Sequence, residues 1–210
     1  DATNPGYSAF KVAYRNRPTM VYVGANDGMM HAFNGSLSGT DSGRELFAYI
    51  PSRVISGVTS PAADGLAYLG GVIGGNAHRY LVNATPNVFD VDFGRTWTGT
   101  EIGTTTNWRS LLIGGLGKGG RGYYAIDVTD PASITTEAIA AGRVLWEFPN
   151  AADNDALNIG FTFGDPIVVK TRKYGWTVIF PSGYNSTGAG GAVQGGGYLY
   201  LVNPTNGRLL

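Results

Sequence analysis

The segment of the chain whose spacing best fits a known chemistry is a glycine-rich stretch near its middle. Gly115, Gly117 and Gly120 match the pattern G-x-G-x-x-G, and Lys118 lies among them. This spacing binds dinucleotides where a helix begins directly after the glycines, because the helix N-terminus binds the pyrophosphate. Here RGYYAIDV follows, which has no helical period, and Gly119 stands where a P-loop needs Ser or Thr. The pattern therefore favours a turn between two strands over a nucleotide site.

The two histidines are the next residues whose type fits catalysis or metal binding. His31 lies within a predicted strand and His78 just before another, and neither is followed by Asp, Glu or His at i+2 or i+4. No G-x-S-x-G motif supports a Ser-His-Asp triad. We therefore expect structural roles for both histidines, with a partner distant in sequence left open.

One short acidic segment resembles the opening of a calcium-binding loop. Asp153 and Asp155 alternate with Asn154, as oxygen ligands do in such loops. The sixth position from Asp153 is Asn158 rather than Gly, and the twelfth is Gly164 rather than an acidic residue. The pattern favours an exposed turn over a metal site.

Neither the aromatic residues nor the glycosylation sequons indicate a binding site. Four aromatic residues lie in or beside predicted strands, where core packing explains them better than a stacking platform for bases or sugars: Phe47, Trp108, Trp146 and Trp176. Asn-x-Ser/Thr sequons begin at Asn34, Asn83 and Asn185. They matter only if the chain passes through a eukaryotic secretory pathway.

Composition excludes several classes of protein. The 210 residues carry 15 Lys and Arg against 15 Asp and Glu, so the chain lacks the positive excess of a nucleic-acid binder. The absence of cysteine excludes disulfides, thiolate metal sites and a cysteine nucleophile. No run approaches the roughly 20 apolar residues of a membrane helix. The first residues, DATNPGYSAF, do not form a signal peptide, so either the protein is not secreted or its targeting segment lies outside these residues.

Short β-branched and aromatic runs between glycine-rich breaks predict an all-β chain. The only helix expected lies around Pro131–Ala141 and ends at Gly142. The expected strands are Met20–Gly24, Met29–Asn34, Glu45–Ile50, Arg79–Asn83, Ser110–Ile113, Tyr123–Val128, Val144–Phe148, Pro166–Lys170, Thr177–Phe180 and Tyr198–Asn203.

Internal repetition indicates the architecture of these strands. A strand, a turn and a Gly-Arg pair that leads a second strand recur in residues 28–51, in 122–131 with 142–149, and in 197–210. A divergent fourth unit is expected in 79–93. Repeated antiparallel sheets of this length are typical of β-propeller blades, which bury their faces against neighbouring blades. We expect residues 1–210 to be part of one propeller domain, with three to four blade units, long loop insertions and a truncated C-terminal end.

A family resemblance supports this interpretation. The stretches VYVGANDGMMHAFNG, GRELFAYIPSRV, WRSLLIGGLGKGGRGYYAIDVTDP, LWEF and FGDPIVV occur in this order, followed by PSGYNSTG and GGGYLYLVNPTNG. Together they resemble the C-terminal β-propeller of PilC/PilY-type type IV pilus tip proteins, over about Val21 to Gly207. The combination is specific, whereas each motif alone is weak because quinoprotein blades share similar turns.

The resemblance implies a bacterial protein that is exported through the periplasm and outer membrane to the pilus tip or cell surface. It implies roles in pilus assembly, retraction and adhesion, with minor pilins as partners and a host or abiotic surface as a further target. The family's calcium loop lies downstream of the segment that matches Gly197–Leu210, so we expect any calcium beyond Leu210. The expectation for these residues is no catalytic, cofactor or metal site.

The sequence supports a non-catalytic scaffold that presents loops to a partner, with the loops expected in 52–76, 93–107 and 182–197. Two alternatives remain open at this point. One is a quinoprotein dehydrogenase, which requires an axial cluster of Asp, Glu and Asn ligands and a Trp stacked on pyrroloquinoline quinone. The other is a periplasmic propeller scaffold for outer-membrane assembly.

Overall fold

The computed structural model describes residues 3–58, 65–71, 78–150, 158–186 and 195–210. These residues form ten strands in three antiparallel sheets. Sheet 1 contains β1 (Met20–Gly24), β2 (Met30–Asn34) and β3 (Glu45–Tyr49). Sheet 2 contains β4 (Asn87–Asp92), β5 (Trp108–Gly115), β6 (Tyr123–Asp127) and β7 (Val144–Phe148). Sheet 3 contains β8 (Ile167–Thr171), β9 (Gly175–Pro181) and β10 (Leu199–Val202).

The three sheets pack face to face, with sheet 2 in the middle. Alternate side chains of a strand point to opposite faces, and β5 uses both faces for burial. Leu111 and Ile113 pack with Phe180 and other residues of sheet 3, whereas Leu112 packs with Met30 of sheet 1. Both faces of sheet 2 therefore lie in the core, which explains why the apolar run of β5 is nearly continuous. The predicted all-β propeller architecture is confirmed, and the described sheets form an open arc rather than a closed ring.

The Gly-Arg repeat found in the sequence corresponds to one turn geometry repeated in all three sheets. An Asn or Asp begins each turn, and its side-chain oxygen accepts from the backbone N–H two residues later at 2.9 Å: Asn34, Asp127 and Asn203. The backbone N–H of the same residue donates at 2.8 Å to the carbonyl of the arginine in the Gly-Arg pair: Arg44, Arg143 and Arg208. Asn and Asp favour this conformation because their short side chains bond to nearby backbone.

The equivalence extends into the strands that flank these turns. The register of β2 with β3 shifts between Ala32 and Phe33, and that of β6 with β7 shifts between Ala125 and Ile126, which is the same repeat position. His31 of sheet 1 thus corresponds to Tyr124 of sheet 2. Tyr124 is fully buried against sheet 1, whereas His31 lies on the face of sheet 1 that no described sheet covers.

The prediction of a single helix was wrong. Four α-helices are described: α1 (Tyr7–Ala13), α2 (Ser52–Ser56), α3 (Leu66–Gly71) and α4 (Glu137–Ala141). In the predicted segment, a 3₁₀ turn over Pro131–Ser133 precedes α4, which is capped where the Thr136 hydroxyl accepts from the Ile139 N–H. Helix α1 is too short to be stable by itself. Its Tyr7 ring packs 4.5 Å from that of Trp108 and the Tyr7 hydroxyl donates to Asp90, so tertiary contacts hold it in place.

The strand predicted over Arg79–Asn83 was also wrong. Leu81 and Val82 are fully buried, but the segment adopts an irregular path. The Val82 N–H donates to Ala25 at 3.2 Å and the Asn83 N–H donates to Leu116 at 3.1 Å, so the backbone is satisfied by loops rather than by a strand. The divergent unit expected in 79–93 instead supplies β4, the first strand of sheet 2.

Candidate functional site

The glycine-rich segment 115–120 forms a tight turn between two antiparallel strands. Residues Gly117–Gly119 make one 3₁₀ turn, and β6 follows where a nucleotide-binding loop would need a helix. Gly117 has φ +59°, a conformation that favours glycine. A Cβ on Gly119 would overlap the backbone carbonyl of Leu81. The space that a phosphate would need beside these glycines is therefore filled by the protein's own chain.

The contacts around this turn explain why it is rich in glycine. Thr162 is buried, and its hydroxyl makes two hydrogen bonds. It accepts from the Leu116 N–H at 2.9 Å and donates to the carbonyl of Gly122 at 2.9 Å. The Thr162 carbonyl also accepts from the Gly117 N–H at 3.2 Å. The turn thus joins the 81–83 segment to the segment that precedes β8. The ammonium of Lys118 lies 4.3 Å from the centre of the Tyr80 ring.

His31 lies between two carboxylates, which is the main site feature that the sequence did not predict. Its Nδ1 is 2.6 Å from Glu45 Oε1, and its Nε2 is 2.9 Å from Asp27 Oδ2. The hydrogen bond to Glu45, helped by the one to Asp27, raises the pKa of His31 despite an opposing effect of burial. Because the carboxylates bond to opposite sides of the ring, the three side chains favour an imidazolium between two anions rather than a metal centre.

Part of this cluster is visible in the sequence. Asp27 precedes His31 by four residues, a spacing that a search only for acidic residues after the histidine does not find. Glu45 reaches the same histidine because β3 pairs with β2, so it depends on tertiary register. The second histidine has a simpler environment, since His78 packs edge-on to Tyr80 at 4.7 Å and lies 3.4 Å from the amide nitrogen of Asn26.

All four aromatic residues identified in the sequence have packing roles. Trp146 is 6% exposed, and its indole N–H donates to the Pro204 carbonyl at 2.8 Å, which docks sheet 2 onto the turn of sheet 3. Trp108 donates to the Pro5 carbonyl at 2.9 Å and packs edge-on to Trp176 at 5.6 Å. Phe47 lies between sheets 1 and 2, at the position that corresponds to Trp146.

One of the three expected presentation loops is anchored at its base. The carboxylate of Asp92 is fully buried, and its Oδ1 accepts from the Gly94 N–H at 3.1 Å and from the Asn107 N–H at 2.7 Å. A single carboxylate therefore closes the 93–107 loop at both ends. A bridge between Trp97 and Ile102 stiffens the loop, and its tip at 98–101 is exposed. The loops expected in 52–76 and 182–197 lie partly outside the described residues.

The remaining sequence candidates are scattered over the fold. Asp153 and Asp155 lie outside the described residues, so the calcium-loop interpretation stays untested. Asn34 begins the turn of sheet 1 described above, while Asn83 and Asn185 are exposed. Among the described residues, no three or more His, Cys, Asp or Glu side chains are placed to hold a metal ion. Within the same residues, none of the helices has the length and apolarity needed to cross a membrane.

Comparison with known proteins agrees with the repeated blade geometry. Residues 2–209 match the family model of the PilY1 β-propeller domain. The chain belongs to the PilY1 β-propeller family. Its relatives include the type IV pilus biogenesis factor PilY1 of Pseudomonas aeruginosa, which is 37% identical over 180 residues, or 86% of this chain. A PilY1 homologue of Xylella fastidiosa is 34% identical over 207 residues, or 97% of this chain.

A solved PilY1 structure shares the fold of this chain. The crystal structure of the Pseudomonas aeruginosa PilY1 C-terminal domain matches with a TM-score of 0.60 and 31% identity, over 97% of this chain and 31% of that one. The chain spans 13% and 11% of the lengths of the two curated PilY1 relatives. The resemblance inferred from the sequence motifs is thus confirmed for the family and for the fold.

Proposed function

We propose that this chain is a non-catalytic scaffold within a type IV pilus protein, where it supports pilus assembly, retraction and surface adhesion at the pilus tip. The observation that carries the proposal is the match of residues 2–209 to the PilY1 propeller domain. The relatives that share this domain are named type IV pilus biogenesis factors. Minor pilins are the proposed partners, and the bacterial surface is the proposed location.

The internal contacts of the scaffold suit a role under mechanical load. Sheet 2 is covered on both faces, and Trp146 binds it to sheet 3 through a hydrogen bond. Thr162 in turn holds the glycine turn by a hydrogen bond to Leu116. Rigid elements that present a loop anchored at both ends are a common arrangement for recognition. The 93–107 loop, closed at its base by Asp92, is the proposed contact surface among the described loops.

No feature of the described residues favours the quinoprotein alternative. A quinone site would need clustered acidic ligands and an aromatic face free for stacking. Several acidic residues of the described region instead pair with His31 or with arginines: Glu45, Asp92 and Asp127. Trp146 is buried in the core cluster and packs on Gly207, so its ring is not free for stacking. Likewise, no feature of the described residues favours a periplasmic scaffold over a pilus protein.

Deletion of the gene in its native host tests the proposal. We expect reduced surface piliation, slower twitching and weaker attachment, each restored by the intact gene in trans. Wild-type behaviour in all three assays would contradict a pilus function. An adhesion defect with normal piliation and twitching would restrict the function to surface contact.

A further inference from the structure

The contact that docks sheet 2 onto sheet 3 has no counterpart between sheets 1 and 2. Trp146 donates to Pro204 and packs on Gly207, whose φ of +67° brings the backbone under the indole ring. The equivalent residue of sheet 1 is Phe47, which follows Gly43-Arg44 as Trp146 follows Gly142-Arg143. The phenylalanine side chain has no N–H to donate, so the corresponding side-chain hydrogen bond cannot form at this second interface.

An insertion in sheet 2 also changes the surface that Phe47 faces. Three residues separate Asn203 from Gly207 in sheet 3, whereas fourteen separate Asp127 from Gly142 in sheet 2. The additional residues include α4, and the atoms nearest a Cβ on Gly142 are carbonyls of that helix rather than the Phe47 ring. A groove of about 910 Å³ remains between β3 and the insertion. Its apolar lining consists of Leu46, Phe47, Ala48, Ile50, Ile126, Ile134, Ala140, Ala141 and Val144.

The edge of β3 runs along this groove. Residues 46–50 all line it, although alternate side chains of a strand point to opposite faces. Five consecutive residues can line one groove only if the strand presents its edge to it. β3 is the last strand of sheet 1, and among the described strands only β2 pairs with it. The groove therefore combines an apolar floor with backbone groups that are free to pair with another strand.

The charge of the groove has one sign. Among the described residues that line it, Glu137 and Glu147 are the only ones with a carboxylate, and none is Lys, Arg or His. Glu147 accepts from the Ser52 N–H at 2.7 Å and from the hydroxyls of Ser52 and Tyr49. Within the described parts of the chain, neither carboxylate forms an ion pair with a cation. A ligand with cationic groups at its ends would therefore meet unneutralised negative charge.

We propose that this groove binds an extended peptide segment of a partner protein, with apolar residues at alternate positions and Lys or Arg at its ends. The peptide pairs with the free edge of β3 as an added strand. Its inward apolar side chains contact Phe47 and Ile126, and its basic ends lie near Glu137 and Glu147. The proposal goes beyond the pilus function and is tested separately from it. Peptide binding is measured on the protein itself, whether or not deletion of the gene affects pili.

Fluorescence anisotropy with three synthetic peptides tests the proposal on the protein as its gene encodes it. The probe is fluorescein-labelled KKVTFTVTKK. The second peptide, EEVTFTVTEE, reverses the terminal charge, and the third is the probe with alternate backbone amides N-methylated. We expect saturable binding of the probe and binding weaker by about tenfold or more for the other two, since they lose charge complementarity or strand pairing.

Two variants on the same helix localise the binding. Ala141 is exposed and lines the groove, so Ala141→Trp fills it without disturbing the core. Ala138 is exposed on the same helix but does not line the groove, so Ala138→Trp is the matched control. We expect Ala141→Trp to weaken probe binding by about tenfold and Ala138→Trp to change it by less than about twofold. Circular dichroism checks that both variants remain folded.

Several results would overturn the proposal. One is the absence of probe binding up to about 1 mM, a limit that leaves only very weak association. Another is equal binding of the probe and of the acidic or N-methylated peptide. A third is an equal effect of the two tryptophan variants on probe binding. Self-association that Ala141→Trp abolishes would assign the groove to a second copy of the chain and would likewise overturn it.

Discussion

The indole N–H of Trp146 in sheet 2 donates to the carbonyl of Pro204 in sheet 3 at 2.8 Å. This bond connects two repeats through residues that are 58 positions apart in sequence. The Trp146 ring belongs to the larger core cluster. Contacts of this kind make each blade depend on the next, because a single sheet cannot bury both of its faces. The stability of the propeller should therefore respond to changes at the contacts between sheets.

Substitution of Trp146 should reduce the free energy of unfolding in two steps. Trp146→Phe keeps most of the ring but leaves the Pro204 carbonyl unpaired, at a cost of about 1–3 kcal/mol. Trp146→Ala also removes the packing, for a total of about 3–5 kcal/mol. Urea denaturation measures both. Trp176→Phe is the matched control, because the Trp176 indole N–H has no hydrogen-bond partner among the described residues. Equal losses at the two positions would argue against the docking bond.

Two glycines at the same repeat position separate backbone strain from the docking contact. Gly207 has φ +67° and a Cβ there would lie 2.7 Å from the Trp146 ring, whereas Gly43 has φ +73° and no atom within 4 Å of such a Cβ. Alanine should cost about 1–2 kcal/mol at each site from the left-handed backbone. At Gly207, overpacking adds about 1–3 kcal/mol. Equal midpoints for Gly207→Ala and Gly43→Ala in thermal unfolding would show that the ring contact contributes nothing.

The His31 cluster should make stability depend on pH. The hydrogen bond with Glu45 raises the pKa of His31, so its stabilising effect is complete below the unfolded pKa of about 6.5 and disappears as pH rises through the folded pKa. His31→Gln should therefore lose more stability relative to the wild type at pH 5.5 than at pH 9. The control is His78→Gln, since His78 has no carboxylate partner among the described residues. A pH-independent difference for His31→Gln would contradict the cluster geometry.

Substitutions in the glycine turn should change the stability of the fold rather than the binding of a nucleotide. Gly119→Ala places a Cβ on the Leu81 carbonyl and should destabilise the fold by about 1–3 kcal/mol or more. Lys118 is exposed, so Lys118→Ala should change stability by less than about 0.5 kcal/mol. The comparison is made by urea denaturation. A mild effect of Gly119→Ala combined with loss of adenine-nucleotide binding in Lys118→Ala would restore the phosphate-binding interpretation.

The sequence predicts those elements of the fold whose pattern is local. The strand Met20–Gly24 and the strand Val144–Phe148 have the predicted bounds, because each is a compact run of β-branched and aromatic residues beside turn-forming residues. The repeated Asn or Asp before each Gly-Arg pair is also visible in the sequence. Its geometry requires only neighbouring backbone groups, so local chemistry is sufficient to define it.

Features that depend on contacts between distant residues were not predictable in this way. Leu81 and Val82 look like part of a strand, but their side chains pack against sheets 1 and 2 while the backbone of their segment pairs with loop residues. Helix α1 forms because its Tyr7 packs on Trp108, about a hundred residues away. Glu45 meets His31 only through strand register. The groove beside Phe47 forms where sheet 1 meets the insertion of sheet 2, so it depends on how two sheets pack against each other.

Surface pilin in sheared cell fractions, measured by immunoblot, tests the central claim most directly. The host strain carries an in-frame deletion of the codons for residues 1–210, and the rest of the protein is confirmed to be present at wild-type level. The pilus scaffold account predicts a large loss of surface pilin, restored by the intact gene but not by the Trp146→Ala variant. Wild-type surface pilin in the deletion strain would contradict it.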